Sequence, residues 1–172
     1  DSRQICFKGG LKSGGSELAI TDVEGSSHGF QVLTNQPIEP DQSWHPDGSK
    51  ILVAMRSPKH ANAVRLFVYN LTTKAFAYLE SQPDFQNNNS GVWSPDGKTI
   101  AFASMRTGQM EIFTVNIEDP TSLTQITSGE ARVEARMPVW SPDGTKLVYV
   151  VKRIGVYQIW MMNADGSEKV QI

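Results

Sequence analysis

Cysteine, histidine and long apolar runs are scarce in this chain of 172 residues. Cys6 is the single cysteine, so no disulfide can form within the chain, and it says little about the redox compartment. No apolar run approaches the roughly 18 residues that a membrane-spanning helix needs, and no signal peptide is visible. The three histidines lack the paired spacing of zinc ligands. These absences argue against an internal disulfide, a membrane span and a metal cofactor.

An excess of positive charge is also missing. The chain has 16 Lys and Arg against 18 Asp and Glu, which gives a formal net charge of -2. Nucleic-acid binders are usually clearly basic, so we expect no nucleic-acid partner. Hydrophobic residues make up 39% of the chain, enough for one domain with a buried core. The chain begins at Asp1 without a Met, which fits a mature form or an excised piece.

A five-residue motif recurs along the chain. Trp44-His45-Pro46-Asp47-Gly48 returns as residues 93–97 and again as residues 140–144, with Ser in place of His. Two apolar runs follow each copy, and the second ends at Asn70, Asn116 or Asn163. A degenerate fourth copy, without its Trp strand, occupies the start of the chain. Self-similarity at this period indicates a repeat architecture.

Each repeat predicts four short antiparallel β-strands. The runs are rich in β-branched and aromatic residues and are bounded by turn residues. Pro-Asp-Gly is a tight-turn signal, because Pro fixes φ, Asp caps its own backbone and Gly accepts positive φ. Four strands in a period of 40 to 50 residues are typical of a propeller blade. We therefore predict an all-β propeller whose second strands begin near Ile5, Ile51, Ile100 and Leu147.

The motifs resemble the WD-like repeats of TolB-type propellers. The resemblance is carried by Trp-Ser-Pro-Asp-Gly at 93–97, by residues 98–106 and by Asn-Ala-Asp-Gly-Ser at 163–167, and it covers nearly the whole chain. It implies a periplasmic or otherwise extracytoplasmic bacterial binding protein; the family includes a propeller that binds the lipoprotein Pal, and the protein partner of this chain stays unidentified. The chain departs from the family in having fewer than six blades and no preceding small domain. We expect one partial propeller domain, 1–172, with blades at about 1–36, 37–84, 85–131 and 132–172.

The blade count suggests open ends. The first blade lacks its innermost strand, and about one more loop and strand would bring the chain back into phase with Asp1. Exposed terminal faces of a repeat array must be capped or closed. We expect the chain to be part of a longer propeller, or to associate with another copy through its open blades.

Two features of the sequence resemble catalytic or metal-binding motifs, and each also has a simpler structural explanation. Gly25-Ser26-Ser27-His28-Gly29 matches the hydrolase elbow G-x-S-x-G, but a β-run follows it where the elbow needs a helix. We interpret it as a hairpin loop. The histidines at 28, 45 and 60 each lie in or beside a different predicted turn, so we predict no metal site and no cofactor. The Asp-Gly pairs lack the spacing of a calcium loop and are assigned to turns.

The two faces of the predicted propeller differ. Short, regular turns occupy one face, whereas the loops on the opposite face vary in length, and the segments 81–90 and 128–137 look polar and irregular. Basic residues recur at the end of the second strands on that face. Solvated loop bases, or pairing with an acidic neighbour such as Glu111, would also explain them. The repeated Trp44, Trp93 and Trp140 are assigned to blade packing. Candidate partner-binding residues are Arg56, Lys59, His60, Arg106, Arg132, Arg136 and Arg153.

The predicted function is that of a non-catalytic binding scaffold outside the cytoplasm of a bacterium, with a protein or ligand partner. Two alternatives stay open. The chain could be the propeller of a larger hydrolase, similar to prolyl oligopeptidases and dipeptidyl peptidases. It could also be a metal-dependent lyase, since oligogalacturonate lyases are propellers that use metal-binding histidines.

Overall fold

The structure is a computed structural model, and it describes residues 4–10, 16–22, 31–34, 38–56, 63–79, 87–129 and 131–172. These residues form fifteen strands. In chain order they are β1 (Gln4–Gly10), β2 (Ser16–Asp22), β3 (Gln31–Thr34), β4 (Ile38–Trp44), β5 (Lys50–Arg56), β6 (Val64–Asn70), β7 (Ala75–Tyr78), β8 (Asn88–Trp93), β9 (Thr99–Ser104), β10 (Glu111–Asn116), β11 (Asp119–Gln125), β12 (Val133–Trp140), β13 (Lys146–Arg153), β14 (Val156–Asn163) and β15 (Val170–Gln171). Within the described ranges no helix is long and apolar enough to cross a membrane.

The strands form four antiparallel sheets, and neighbours along the chain are neighbours in each sheet. The first sheet has the order β1-β2-β3, the second β4-β5-β6-β7, the third β8-β9-β10-β11 and the fourth β12-β13-β14-β15. The predicted all-β propeller architecture is confirmed, including the first sheet without its innermost strand. The predicted second strands are β1, β5, β9 and β13, and each begins within one residue of the expected position.

The core lies between the sheets. Both faces of the second strands are buried where two neighbours are present: Ile51, Leu52 and Val53 are fully enclosed, and so are residues 100–103. One face of β5 packs toward the first sheet and the other toward the third. A fully buried Leu, Ile or Val contributes roughly 1.5–3 kcal/mol relative to exposure. The continuous apolar runs in the sequence therefore follow from burial on both sides.

The innermost strands differ from expectation. Segments 81–90 and 128–137 were predicted to be irregular connections, but β8 begins at Asn88 and β12 at Val133. This prediction is wrong for the ends of both segments. The physical reason is a bulge in each strand, which breaks the alternation of apolar and polar side chains. Ser90 and Met137 mark these bulges, each with φ of 52°.

The repeated turns share one local geometry. The Asp carboxylate accepts a hydrogen bond from the backbone N–H two residues later, as between Asp143 and Thr145 at 3.0 Å. The Gly N–H donates to the carbonyl three residues earlier at 2.9 Å in all three copies. Gly48, Gly97 and Gly144 have φ between 71° and 74°, where a Cβ is disfavoured. The local chemistry expected from Pro-Asp-Gly is therefore present in each copy.

His45 joins the turn of the second sheet to the turn of the third. Its Nε2 lies 3.1 Å from the carbonyl oxygen of Gly97, and its Nδ1 lies 2.7 Å from Asp47 Oδ1. Its ring also meets Trp93 edge to face, with 4.7 Å between centroids. In the other copies a Ser hydroxyl bonds only within its own turn, as Ser94 does to Asp96. His45 occupies the position that is Ser in the other copies, and it thus adds a contact between the second and third blades.

Substitution of two equivalent glycines tests this contact. A Cβ at Gly97 would overlap the His45 ring, whereas a Cβ at Gly48 would meet nothing within 4 Å. Both glycines have nearly the same φ, so the conformational cost of Ala should be similar, about 1 kcal/mol. We expect Gly97→Ala to cost about 1–3 kcal/mol more than Gly48→Ala in urea unfolding. His45→Ser should remove this excess from Gly97→Ala. Equal losses at the two glycines would contradict the interpretation.

Candidate functional site

The antiparallel strand order separates two faces of the arc of sheets. The regular face carries the turns at 45–49, 94–98, 141–145 and 163–167. The irregular face carries the ends of β5, β9 and β13 together with the starts of β4, β8 and β12. The turns between first and second strands have the same geometry in three copies, whereas the connections on the second face vary in length along the sequence, so the second face is the candidate site.

The regular face is rich in ionised carboxylates. Hydrogen bonds from Ser49, followed by the field of His45, lower the pKa of Asp47 from 3.8 to about 2. Bonds from Ser141 and Thr145 lower the pKa of Asp143 to about 2 as well. The pKa values of Asp96 and Asp165 are lowered in the same way by Ser94 and Ser167 respectively. A carboxylate that accepts several hydrogen bonds is stabilised in its charged form.

Two candidate cations on the irregular face pair with carboxylates of their own sheet. Arg56 Nε lies 3.1 Å from Glu39 Oε1, across the β4–β5 pair. Arg136 Nη2 lies 2.7 Å from Glu134 Oε2, on the same strand β12. Their pairing was one of the explanations left open by the sequence. Exposed ion pairs contribute little to stability, about 0.2–1 kcal/mol, and break readily when a stronger partner approaches.

Arg106 has a different environment from the other candidates. It follows β9 and is partly buried, with its guanidinium 4.6 Å from the centre of the Phe113 ring and 5.3 Å from that of Phe102. Its Nε donates to Ser104 Oγ at 3.1 Å and its Nη2 donates to Asn88 Oδ1 at 3.3 Å. Burial lowers the pKa of the guanidinium, which nevertheless stays protonated at physiological pH. Arg106 therefore braces the third sheet, and its charge reaches the face only in part.

Arg132 and Arg153 are exposed, as is Arg56. Arg132 lies in the turn before β12 with φ of 70°, and Arg153 ends β13. Arg153 borders a cleft of about 360 Å³ between the third and fourth sheets, which Tyr149, Trp160 and Lys169 also line. The remaining candidates, Lys59 and His60, lie outside the described residues. A common binding role for the set stays a prediction.

Glu111 anchors one wall of this cleft. The side chain is buried, and its carboxylate accepts hydrogen bonds from Gln109 Nε2 at 2.7 Å, Thr127 Oγ1 at 2.5 Å and Gly129 N at 2.8 Å. These bonds fix the segment after β11 against β10. Sequence reasoning named Glu111 only as a possible partner for a cation. Its role in holding the inter-blade segment has no local sequence signal, because its partners lie up to 18 residues away.

The catalytic alternatives fall largely outside the described residues. The G-x-S-x-G segment at 25–29 and the histidines at 28 and 60 lie there. His45 is described, and both of its ring nitrogens face oxygen atoms of turns. Among the described side chains, no group of three or more His, Cys, Asp or Glu residues could hold a metal ion.

Comparison with known proteins identifies the family. The family model described as the TolB beta propeller domain matches residues 6–172. The chain belongs to this family. The propeller is 34% identical over 115 residues to the Tol-Pal system protein TolB of Anaeromyxobacter dehalogenans (strain 2CP-C), a match that covers 67% of this chain and 25% of that protein. It thus spans about a quarter of the length of the curated relatives that it matches.

Solved structures share the fold of the propeller. The structure of a putative TolB from Agrobacterium tumefaciens matches 99% of this chain and 61% of its own, with a TM-score of 0.85 at 22% identity. An oligogalacturonate lyase from Vibrio parahaemolyticus matches 99% of this chain and 49% of its own, with a TM-score of 0.72 at 15% identity. At these identities the matches show the fold alone. The resemblance inferred from the repeat motifs is confirmed.

The bracing role of Arg106 can be measured as stability. Arg106→Ala removes the stacking on Phe102 and Phe113 and two hydrogen bonds, so we expect a loss of about 1–3 kcal/mol in urea unfolding. Arg132→Ala, on an exposed turn of the same face, should stay within about 0.5 kcal/mol of the parent chain. Arg106→Lys should recover only part of the loss, because an ammonium lacks the planar fork. Equal effects of the two Ala substitutions would rule out the assignment.

The turn carboxylates predict a particular acid sensitivity. The pKa of Asp143 is near 2 in the folded chain and near 3.8 when unfolded, so its stabilising contribution is complete above pH 3.8. That contribution is lost as the pH falls from 3.8 toward 2. We expect Asp143→Asn to lose less stability than the parent chain between pH 5 and pH 2, and Ser141→Ala to show the same change in part. Parallel stability curves for all three proteins would contradict this.

Proposed function

We propose that this propeller is a non-catalytic binding scaffold outside the cytoplasm of a bacterium, and that its irregular face contacts a protein with an acidic surface. The curated relatives carry the name Tol-Pal system protein TolB. By analogy, the proposed partner is a Pal-type lipoprotein of the same organism.

The difference between the two faces is the observation that carries this proposal. The turns between the first and second strands, on the regular face, have the same backbone hydrogen bond in three copies, at Gly48, Gly97 and Gly144. A surface built from near-identical turns offers little by which to distinguish partners. The connections of the irregular face differ between sheets, and binding residues usually lie on variable loops held by a rigid scaffold.

Charge supports the same assignment. The regular face carries the four turn aspartates, whose pKa values are lowered, so these carboxylates stay ionised at neutral pH beside lysines such as Lys98 and Lys146. The opposite face carries an arginine near the end of each of three second strands: Arg56 ends β5, Arg106 lies two residues after β9, and Arg153 ends β13. The arginines of the irregular face would attract an acidic partner, despite the slight net negative charge of the chain.

The two alternative functions require different catalytic groups. A hydrolase would place its catalytic residues in another domain, and the propeller would then act as an accessory. A metal-dependent lyase would need His side chains open to a metal ion, whereas His45 is engaged with Asp47 and Gly97. The shared fold with the lyase from Vibrio parahaemolyticus carries no statement about activity, because the identity is 15%.

Association kinetics test the proposal. With the propeller immobilised and the Pal-type domain of the same organism in solution, we expect Arg153→Glu and Arg132→Glu each to slow association several-fold at low salt. The effect should shrink at physiological ionic strength, where charges are screened over about 8 Å. Dissociation should change less, since exposed charges act mainly on encounter.

Lys98→Glu is the matched control. Lys98 is exposed in a turn of the regular face, so the same reversal of charge there should leave the association rate unchanged. If Lys98→Glu slowed association as much as Arg153→Glu, the partner would lie on the regular face or respond only to net charge. Binding of the partner that is insensitive to all three substitutions would contradict the proposed surface.

A further inference from the structure

The cleft between the third and fourth sheets has the size and lining of a small-molecule site. Its volume is about 360 Å³, within the range of roughly 300–1,000 Å³ that such sites occupy. It lies between two sheets that pack on each other through a shared apolar cluster. Its lining includes residues of both sheets: Ser128 and Gly129 after β11, and Ala135, Tyr149, Val151 and Trp160 of the fourth sheet.

The equivalent space between the second and third sheets is occupied by Arg106. The guanidinium lies 5.3 Å from the centre of the Phe102 ring and 4.6 Å from that of Phe113. Ser104 Oγ and Asn88 Oδ1 accept hydrogen bonds from it and hold it over the two rings. In this interface the chain therefore covers its own aromatic side chains.

The fourth sheet keeps the rings of this arrangement but lacks the hydrogen-bond acceptors. Tyr149 pairs with Trp160 as the two phenylalanines pair one repeat earlier. Ala135 pairs with Val151 as the two acceptors do. Neither Ala nor Val has a side chain that accepts a hydrogen bond from an arginine. Arg153, which follows at the repeat spacing, is exposed and borders the cleft. The cleft is thus a departure from the repeat, caused by two substitutions in its lining.

Uncharged polar groups in the cleft are available to a ligand. Tyr149 is only 3% exposed, and no described residue forms a hydrogen bond with its hydroxyl. Burial, followed by the negative charge of Glu111, raises the pKa of Tyr149, so the hydroxyl stays protonated and can donate. Gln158 Oε1 lies 3.4 Å from Trp160 Nε1, which leaves the amino group of Gln158 as a second donor. Buried polar groups are almost always hydrogen-bonded, so the Tyr149 hydroxyl indicates an acceptor supplied from outside the chain.

Two charged side chains of the lining already have partners within the chain. The Glu111 carboxylate accepts hydrogen bonds from Gln109, Thr127 and Gly129. The Lys169 ammonium group donates to the Gly166 carbonyl oxygen. An ionic ligand would have to compete with these contacts, whereas the indole ring, the hydroxyl and the amide are open to a neutral one.

A pyranose ring matches this combination of groups. Its C–H bonds form an apolar face that can stack on the electron-rich face of an indole ring, such as that of Trp160. Its hydroxyls both donate and accept hydrogen bonds, so they can pair with Tyr149 and Gln158. A flat hydrocarbon ring of the same size would leave the Tyr149 hydroxyl without a partner, which is unfavourable at a buried position.

We propose that this cleft binds one pyranose unit of a saccharide, which stacks on Trp160 and accepts hydrogen bonds from Tyr149 and Gln158. The site requires no protein partner. It is therefore a second binding activity, separate from the contact that the irregular face makes with an acidic protein.

Titration followed by NMR tests this proposal. The probes are methyl β-D-glucopyranoside, methyl β-D-galactopyranoside, methyl α-D-mannopyranoside and N-acetylglucosamine, added to the ¹⁵N-labelled propeller. For at least one of them, the Trp160 indole N–H and the Gly129 backbone N–H should shift and saturate, with a dissociation constant on the order of 1–10 mM, as for a small neutral ligand with few contacts. Benzamide, a flat aromatic amide without hydroxyls, should bind more weakly than that sugar.

Three variants test the lining of the cleft, with the Gly129 N–H as the common signal. Ser128→Trp, at an exposed position of the wall, should fill the cleft and abolish binding. Tyr149→Phe removes only the hydroxyl and should weaken binding about three- to tenfold. Tyr157→Ala is the matched control, since Tyr157 is 65% exposed outside the lining, and it should leave the dissociation constant unchanged. Circular dichroism and urea unfolding verify that each variant is folded.

Four results would overturn the proposal. The absence of saturable shifts with all four sugars would exclude a pyranose site. Binding that persists in folded Ser128→Trp, or that is weakened as much by Tyr157→Ala as by Tyr149→Phe, would place the sugar elsewhere. Tighter binding of benzamide than of every sugar would assign the cleft to aromatic ligands. Arg132→Glu should leave sugar binding unchanged while it slows association with the protein partner, so the two proposals fail separately.

Discussion

Burial of one sheet face against the next is the interaction on which the whole structure depends. No single blade encloses a core of its own, because each sheet is only one strand layer thick. Residues such as Leu52 and Phe102 are removed from water only when two sheets stack. The strands are apolar on both sides for this reason, and the stability of each blade depends on its neighbours.

Local turn chemistry sets the geometry in which those faces meet. The carboxylate of each turn aspartate accepts a hydrogen bond from the backbone N–H two residues later, as at Asp143. The glycine that follows, such as Gly144, adopts a positive φ. These bonds act within five residues and need no tertiary contact. His45 extends one turn toward the next through Gly97, so the spacing of neighbouring blades is fixed at the regular face by a specific contact in addition to packing.

The fold was predictable because the signals that define it are local and repeated. Turn motifs at spacings of 49 and 47 residues and the apolar runs after them located the second and third strands closely, and each third strand of the last three sheets ends at the expected Asn. The innermost strands β8 and β12 were missed in part. Their bulges at Ser90 and Met137 place two residues opposite one and disguise the alternation. Periodicity cannot reveal a strand whose period is interrupted.

The candidate site was less predictable, because its properties depend on contacts between distant residues. Arg56, Arg106 and Arg153 all lie at the ends of second strands, yet Arg56 pairs with Glu39 and Arg106 stacks on Phe113. The sequence alone cannot separate these environments, since the partner of each arginine comes from a different strand. Asn88, whose side chain accepts a hydrogen bond from Arg106, lies in a run of three asparagines, and the sequence does not show which of the three makes this contact.

A sheet between two others has a leading face, which packs against the sheet after it, and a trailing face, which packs against the sheet before it. This division has a consequence for evolution. A blade that is duplicated or deleted as a unit brings both halves of its interface with it, so the new neighbours meet through a contact that already exists. Blade number can therefore change among relatives without the invention of a new interface. Substitutions that enlarge a leading position, such as Ala54, should be balanced by smaller side chains near Ile100, about one repeat further along. We therefore expect positions about one repeat apart, on facing sheets, to co-vary within the family.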